Sequence, residues 1–245
     1  MLSETKLAHY LSSTQISSQN LSLEKAKIQE LIADISHQTK TPITNILLYS
    51  QLLSETALPR ETLPYMEALN QQTEKLNFLI SSLVKISRLE TGVLALCPSA
   101  ASIKPLLEDA VAQIAPKAAD KQILLNLEAQ DMFACFDRKW ISEAIYNILD
   151  NAVKYTPAGG NISITLLHTE LFVRIAIKDS GIGICEEETA KIFTRFYRSP
   201  QVSDSEGVGI GLFLEREILA KENGYIKVQS EAGHGSTFFI YLPAA

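Results

Sequence analysis

The chain has 245 residues, 46% of them apolar and 20% charged, with a formal net charge of -6 at pH 7. That length allows one or two domains, and that apolar share builds real cores, which argues against a disordered chain. The acidic balance, with no cluster of Lys and Arg, argues against a nucleic-acid partner, and the three widely spaced cysteines Cys97, Cys135 and Cys185 fit neither a disulfide framework nor a zinc site.

No run approaches the roughly 20 apolar residues of a membrane span, and Met1-Leu2-Ser3-Glu4 is not a basic region followed by an apolar core. A soluble chain in a reducing, cytoplasmic setting is expected. Between about 12 and 54 the apolar residues Leu21, Ile28, Leu31, Ile32, Ile35, Ile46 and Leu53 recur at helical spacings, which predicts one long amphipathic helix. Pro42 removes one backbone donor and is expected to bend it. Residues 55–60 read as a short connection, after which Leu69, Leu76, Leu79, Ile80, Leu83, Ile86 and Leu89 mark a second helix stopping at Gly92. Such a hairpin cannot cover its own apolar seams. A second copy would complete a four-helix bundle, so a homodimer is expected.

Beyond Gly92 shorter segments alternate. They predict a strand at 93–96, a helix at 103–118, strands at 123–128 and 133–136, and a helix at 138–154. Strands at 161–168 and 171–178, joined by a tight turn at Thr169-Glu170, come next. A long polar, Gly-rich stretch from Asp179 to Gly211 precedes a helix to about 222 and two closing strands. The fold class is therefore α+β: an N-terminal helical hairpin over 21–92, preceded by a signalling or linker segment at 1–20, and an α/β sandwich over 93–245.

Three places carry chemistry. His37 falls opposite the seam of the first helix and points to solvent, Thr41 shares its face one turn later, and Gln38 sits at its edge. Taken alone, an exposed helical histidine is usually just solvated. With a pKa near 6.5, however, its neutral imidazole is also a ready nucleophile. On the helix at 138–154, Asn147, Asn151 and Lys154 share a face, where amide oxygens suit magnesium and a lysine supplies a point charge to phosphates. Asp179-Ser180-Gly181-Ile182-Gly183 follows a strand, so its carboxylate can accept from a base while the glycines leave room. Gly207-Val208-Gly209-Ile210-Gly211 opens a helix, where phosphate can approach closely. A dinucleotide-binding unit would carry that glycine run in its first βαβ unit, not near the end of the chain.

Ser36-His37 followed by Lys40-Thr41-Pro42 resembles the phosphoacceptor box of sensor histidine kinases. Asn147 to Tyr155, Asp179 to Gly183, Ile192 to Arg198, the glycine run and Gly233-His234-Gly235-Ser236-Thr237 resemble, in order, the N, G1, F, G2 and last glycine boxes of that family's catalytic domain, which has the Bergerat ATP-binding fold. The resemblance implies ATP and Mg²⁺, with Asn151 holding the metal, Asn147 and Lys154 near the phosphates and Tyr155 packing near the adenine. It implies that Asp179 bonds the adenine amino group, Gly181 and Gly183 line the base pocket, and Arg198 reaches the terminal phosphate. Gly207, Gly209 and Gly211 would let a lid move, and Thr237 would also belong to the nucleotide site.

The activity so implied is autophosphorylation of His37 and transfer to an aspartate on the receiver domain of a response regulator, by a homodimer. The chain would meet a membrane only through a sensor region that it lacks, as the cytoplasmic part of a membrane-bound bacterial receptor. Many such kinases carry an acid immediately after the histidine. Gln38 can fix the ring tautomer but cannot take a proton, which puts about 10²- to 10⁴-fold of base assistance at stake. Thr41 matches the position that orients water when these proteins dephosphorylate their regulator, and the alternative is therefore mainly a phosphatase with weak autokinase activity. ATPases of the gyrase, Hsp90 and MutL families carry a glutamate four residues before the metal-binding asparagine. Here that residue is Asn147, an amide that cannot activate water.

Overall fold

The computed structural model describes residues 39–40, 43–50, 52–53, 62–90, 96–202 and 208–245. The chain divides into two compact units, Met1–Leu94 and Ala95–Ala245. His37, Gln38, Thr41, Gly207, the Pro42 bend, the connection at 55–60 and the stop at Gly92 all lie outside the described residues.

In the first unit residues 39–40, 43–50 and 52–53 are helical, and helix α1 runs Leu63–Glu90. The chain buries Ile43, Ile86 and Leu89, yet leaves two apolar rows open to solvent. Ile46, Tyr49 and Leu53 form one row at spacings of three and four, exposed by 43 to 64%. Leu69, Leu76 and Leu83, seven residues apart, form the other, exposed by 41 to 45%. No helix among the described residues is long and apolar enough to cross a membrane.

The second unit is a helical layer on a mixed sheet. Its elements are β1 Ser99–Ser102, α2 Lys104–Asp120, β2 Leu124–Glu128, β3 Phe133–Phe136, α3 Arg138–Tyr155, β4 Asn161–His168, β5 Phe172–Asp179, α4 Gly211–Lys221, β6 Tyr225–Glu231 and β7 Gly235–Pro243. Five strands pair in the order β2-β4-β5-β7-β6, all antiparallel except β2 with β4. Strand alternation sends Ile162, Ile164, Val173, Ile175, Ile177, Phe238, Ile240 and Leu242 inward. They meet the buried faces of α2 to α4, which include Leu107, Ile114, Ile141, Ile148 and Leu219. The outer face carries a stack of Tyr225 on Tyr241 with centroids 4.2 Å apart.

Of the strand expected at 93–96, only Leu96 lies among the described residues. Leu96 is not in a strand; β1 instead uses Ser99 to Ser102 and pairs antiparallel with β3 as a separate two-stranded sheet. Pairing with Phe133–Phe136 makes Ser99 to Ser102 a strand, although those small residues have little β preference of their own. Just before it, the Cys97 amide donates to Asp137 Oδ2 at 3.0 Å.

Asp137 starts α3 as its N-cap, accepting from Lys139 N and Trp140 N. Its own amide donates to Oε1 of Glu222, at the end of α4, at 3.1 Å. Glu222 is 2% exposed, and its Oε2 has no hydrogen-bond partner. Burial pushes its carboxyl up to about 7; the Asp137 N–H opposes this and the Asp137 charge adds to it. From the ordinary glutamate range up to about 7 the folded chain keeps a proton that the unfolded chain releases, so this group costs stability progressively as pH rises through that window. Glu222→Gln is therefore expected to raise the melting temperature clearly at pH 8 and little at pH 5. Equal shifts at both pH values, measured by thermal denaturation, would contradict this.

Candidate nucleotide site

The apolar side of α3 is sunk in the core through Ile145, Ile148, Leu149 and Ala152, which turns Asn147, Asn151 and Lys154 together to the half-buried rim. The far end of this helix must satisfy its last carbonyls. Lys121, just past α2, does so: its Nζ donates to Val153 O at 2.9 Å, Lys154 O at 2.8 Å and Thr156 O at 3.1 Å. The amide of Ile182 donates to Tyr155 O at 3.3 Å, joining the helix end to the turn that follows β5.

That turn is built around Asp179, which is 5% exposed. Its Oδ1 accepts from Gly181 N at 2.8 Å and from Ser236 N at 3.2 Å. Burial raises the carboxyl pKa, and these two N–H groups hold it back. Gly183 has φ +68°, and a Cβ there would collide with the carbonyl of Glu231. Gly233 N donates to Ile182 O at 2.7 Å, so the turns at 179–183 and 231–236 interlock through their backbones. Thr237 stands on β7 between Lys178 and Gln229.

A third wall comes from the stretch after Gly183, which holds three short 3-10 turns, Glu186–Glu188, Lys191–Phe193 and Pro200–Val202. Glu188 grips both neighbours of Arg198, accepting from Tyr197 OH at 2.7 Å and Ser199 Oγ at 2.9 Å. Arg198 donates to Val202 O at 2.5 Å, and its charge acts on Tyr155. Burial raises the Tyr155 phenol pKa, while Arg198 lowers it. Lys154 Nζ lies 5.2 Å from the centre of the same ring. Gly209, next to the opening of α4, packs so closely on Tyr197 O that a Cβ would not fit.

Asn147, Asn151 and Lys154 thus share one face of α3, the end of that helix at Tyr155 meets the turn that holds Asp179 and Gly181, and Arg198 acts electrostatically on Tyr155. Two family models match this architecture: residues 27–92 fit the His Kinase A (phospho-acceptor) domain, and residues 136–245 the histidine kinase-, DNA gyrase B- and HSP90-like ATPase. The chain belongs to the histidine kinase family.

It is 28% identical over 230 residues to the sensor protein kinase PmrB of Pseudomonas aeruginosa, covering 91% of this chain and 48% of that protein. With drug sensory protein A of Synechocystis it shares 33% over 236 residues, 90% of this chain and 35% of that one. The crystal structure of full-length ShkA in complex with AMPPNP superposes with a TM-score of 0.74 at 26% identity, over 88% of this chain and 46% of that one. The chain therefore spans less than half the length of these relatives.

Within this histidine kinase chain several contacting residues had no part in the sequence reading. Lys121 lies more than 30 residues before the carbonyls that it caps, so no local pattern announces it. Glu188 is one of three consecutive glutamates and is indistinguishable from its neighbours until Tyr197 and Ser199 fold onto it. Glu215 left a trace, an acid between the apolar pairs Phe213-Leu214 and Ile218-Leu219. Asn147, placed near phosphates by resemblance, donates from Nδ2 to Glu215 Oε1 at 2.7 Å.

Because Gly183 combines a left-handed φ with backbone contact, Gly183→Ala is expected to cost more than about 1 kcal/mol of stability. It should also weaken binding of a non-hydrolysable ATP analogue. Urea denaturation and a binding titration check both, and wild-type values in either would count against the interlocked turns.

Proposed function

We propose that the chain is the dimerising and catalytic core of an ATP-dependent protein-histidine kinase, with 1–20 a signalling or linker segment, 21–92 the phosphotransfer hairpin and 93–245 the ATP-binding domain. The observation that supports this reading is the junction of the helix that carries Asn147, Asn151 and Lys154 with the buried Asp179 turn, through Tyr155 O, downstream in sequence of the box around His37. In it Asp179 accepts from the adenine amino group, Gly181 and Gly183 line the base, Tyr155 packs beside it, and Thr237 closes the same pocket. Lys154 and Arg198 neutralise the phosphates, and Gly207, Gly209 and Gly211 hinge the segment over them.

The donors on α3 fit magnesium. Among the described residues no group of three His, Cys, Asp or Glu side chains could hold a metal by itself, while Asn147 and Asn151 offer neutral hard oxygens. Such a set binds a hydrated cation that arrives with the phosphates of its nucleotide. When bound, Mg²⁺ would be held by Asn151 and would offset the charge developing on the phosphates.

In the transfer the unprotonated ring nitrogen of His37 attacks the terminal phosphorus, the bond to the bridging oxygen breaks, and ADP leaves with the electron pair. The proton on the other ring nitrogen passes to solvent, with Gln38 accepting its hydrogen bond beforehand. An aspartate on the receiver domain of a response regulator then takes the phosphoryl group. The two open rows, Ile46-Tyr49-Leu53 and Leu69-Leu76-Leu83, favour a second copy as the partner that covers them. We place this core on the cytoplasmic side of a bacterial receptor.

A second reading rests on Gln38: without an acid beside His37, the main task becomes dephosphorylation of the regulator through Thr41. Incubation with γ-labelled ATP separates the two. Acid-labile, base-stable label is expected on the wild type and none on His37→Ala; an unlabelled wild type would leave only the phosphatase reading. If proton removal limits the rate, Gln38→Glu should speed labelling by about tenfold or more. An unchanged or slower rate would show that the amide already suffices.

A further inference from the structure

Glu215 is the least explained charge-bearing side chain in the second unit. It is 1% exposed, on the side of α4 that packs against α3, between buried Leu214 and Ile218. A carboxyl group in such a place is costly unless its hydrogen bonds do something that an apolar residue could not. Helical side chains lean toward the N-terminus, and this one reaches back over the first turn of α4. A Cβ on Gly211 would lie 3.6 and 3.8 Å from the two carboxyl oxygens. The group therefore sits at the root of the glycine segment, where Oε1 accepts from Asn147 Nδ2 at 2.7 Å.

We propose that Glu215 is a positioning residue that locks the side-chain amide of Asn147 by its nitrogen, so that Asn147 presents Oδ1 to the nucleotide's cation. The inference rests on the nucleotide site proposed above and adds to it the residue that orients Asn147. An amide has one donor end and one acceptor end. The carboxyl group takes one of the two N–H donors on Nδ2 and so fixes the plane of the amide, which sets the direction of Oδ1. The carbonyl end is the one suited to a cation or to the waters around it.

Glu215 does not restore the base that position 147 lacks. It is buried behind the asparagine, out of reach of water attacking a phosphate, and the nearby amide cannot relay a proton. The acid acts through Asn147, and the contact also ties the root of the glycine segment to the metal-facing helix.

The test is binding, with the full chain. Affinity for a fluorescent, non-hydrolysable ATP analogue is measured across a Mg²⁺ titration and in EDTA, for wild type, Glu215→Gln and Glu215→Leu, with melting temperatures alongside. Glu215→Leu is expected to raise the Mg²⁺ concentration for half-maximal binding by roughly tenfold while affinity in EDTA stays unchanged. Glu215→Gln, which keeps an acceptor, should stay within about threefold of wild type. In the Asn147→Ala background, Glu215→Leu should add nothing further.

The proposal is overturned if folded Glu215→Leu keeps the wild-type Mg²⁺ dependence, if Glu215→Gln loses as much as Glu215→Leu, or if the two sites prove additive. Glu215→Met, unbranched and adaptable, takes the place of the Leu variant should that one not fold. A wild-type chain with no Mg²⁺-dependent nucleotide binding would overturn the nucleotide site itself, a separate outcome.

Discussion

The three hydrogen bonds from the Lys121 ammonium to the end of α3 are the contact on which the nucleotide site depends. A helix end leaves several carbonyls without partners, and in a half-buried place each unmet one costs free energy. A cation is the donor that suits them best, because the helix dipole puts partial negative charge there. The chain between β2 and the end of α3 is thereby closed into a rigid frame. Its reward is positional: Lys154 and Tyr155, the last residues of that helix, face the Asp179 turn in one arrangement.

The same logic of mutual fixation recurs around the rim. Asp179 is held by amides from its own turn and from β7, which fixes the orientation of its carboxyl group. Gly183 lies against the Glu231 carbonyl where no Cβ would fit, and Gly233, with φ +82°, donates its amide to Ile182 O across the two loops. Glu188 brackets Arg198 by its two neighbours, and Glu215 brackets Asn147 by its nitrogen. Three polar groups, Asp179, Arg198 and Asn147, are each positioned by a residue from another part of the chain. Preorganisation of this kind is what phosphoryl transfer requires, since its catalysis is largely placement of charge.

Much of this was legible before the fold. The elements from α2 onward follow from period and punctuation: the helix expected at 103–118 runs Lys104–Asp120, and the β4-β5 hairpin sits where alternation put it. The ordered motifs also named the family, and two of them meet where Ile182 N donates to Tyr155 O. Ser99 to Ser102 carry no strand signal of their own and become a strand only through pairing with β3. Lys121, Glu188 and Glu215 escaped because a hydrogen bond across 9 to 68 residues has no period.

The sequence by itself determined the family, the two-part organisation and the list of groups that can do chemistry, since each of these rests on local spacing or on a linear order of motifs. Tertiary structure alone decided which groups meet and which atom of each is committed. Asn147 is the case in point: its spacing from Asn151 and Lys154 put it on the right face, but only the packing of α4 on α3 engages its nitrogen with Glu215. Spacing fixes a residue's face on a helix, and only a neighbouring element fixes the orientation of its side chain.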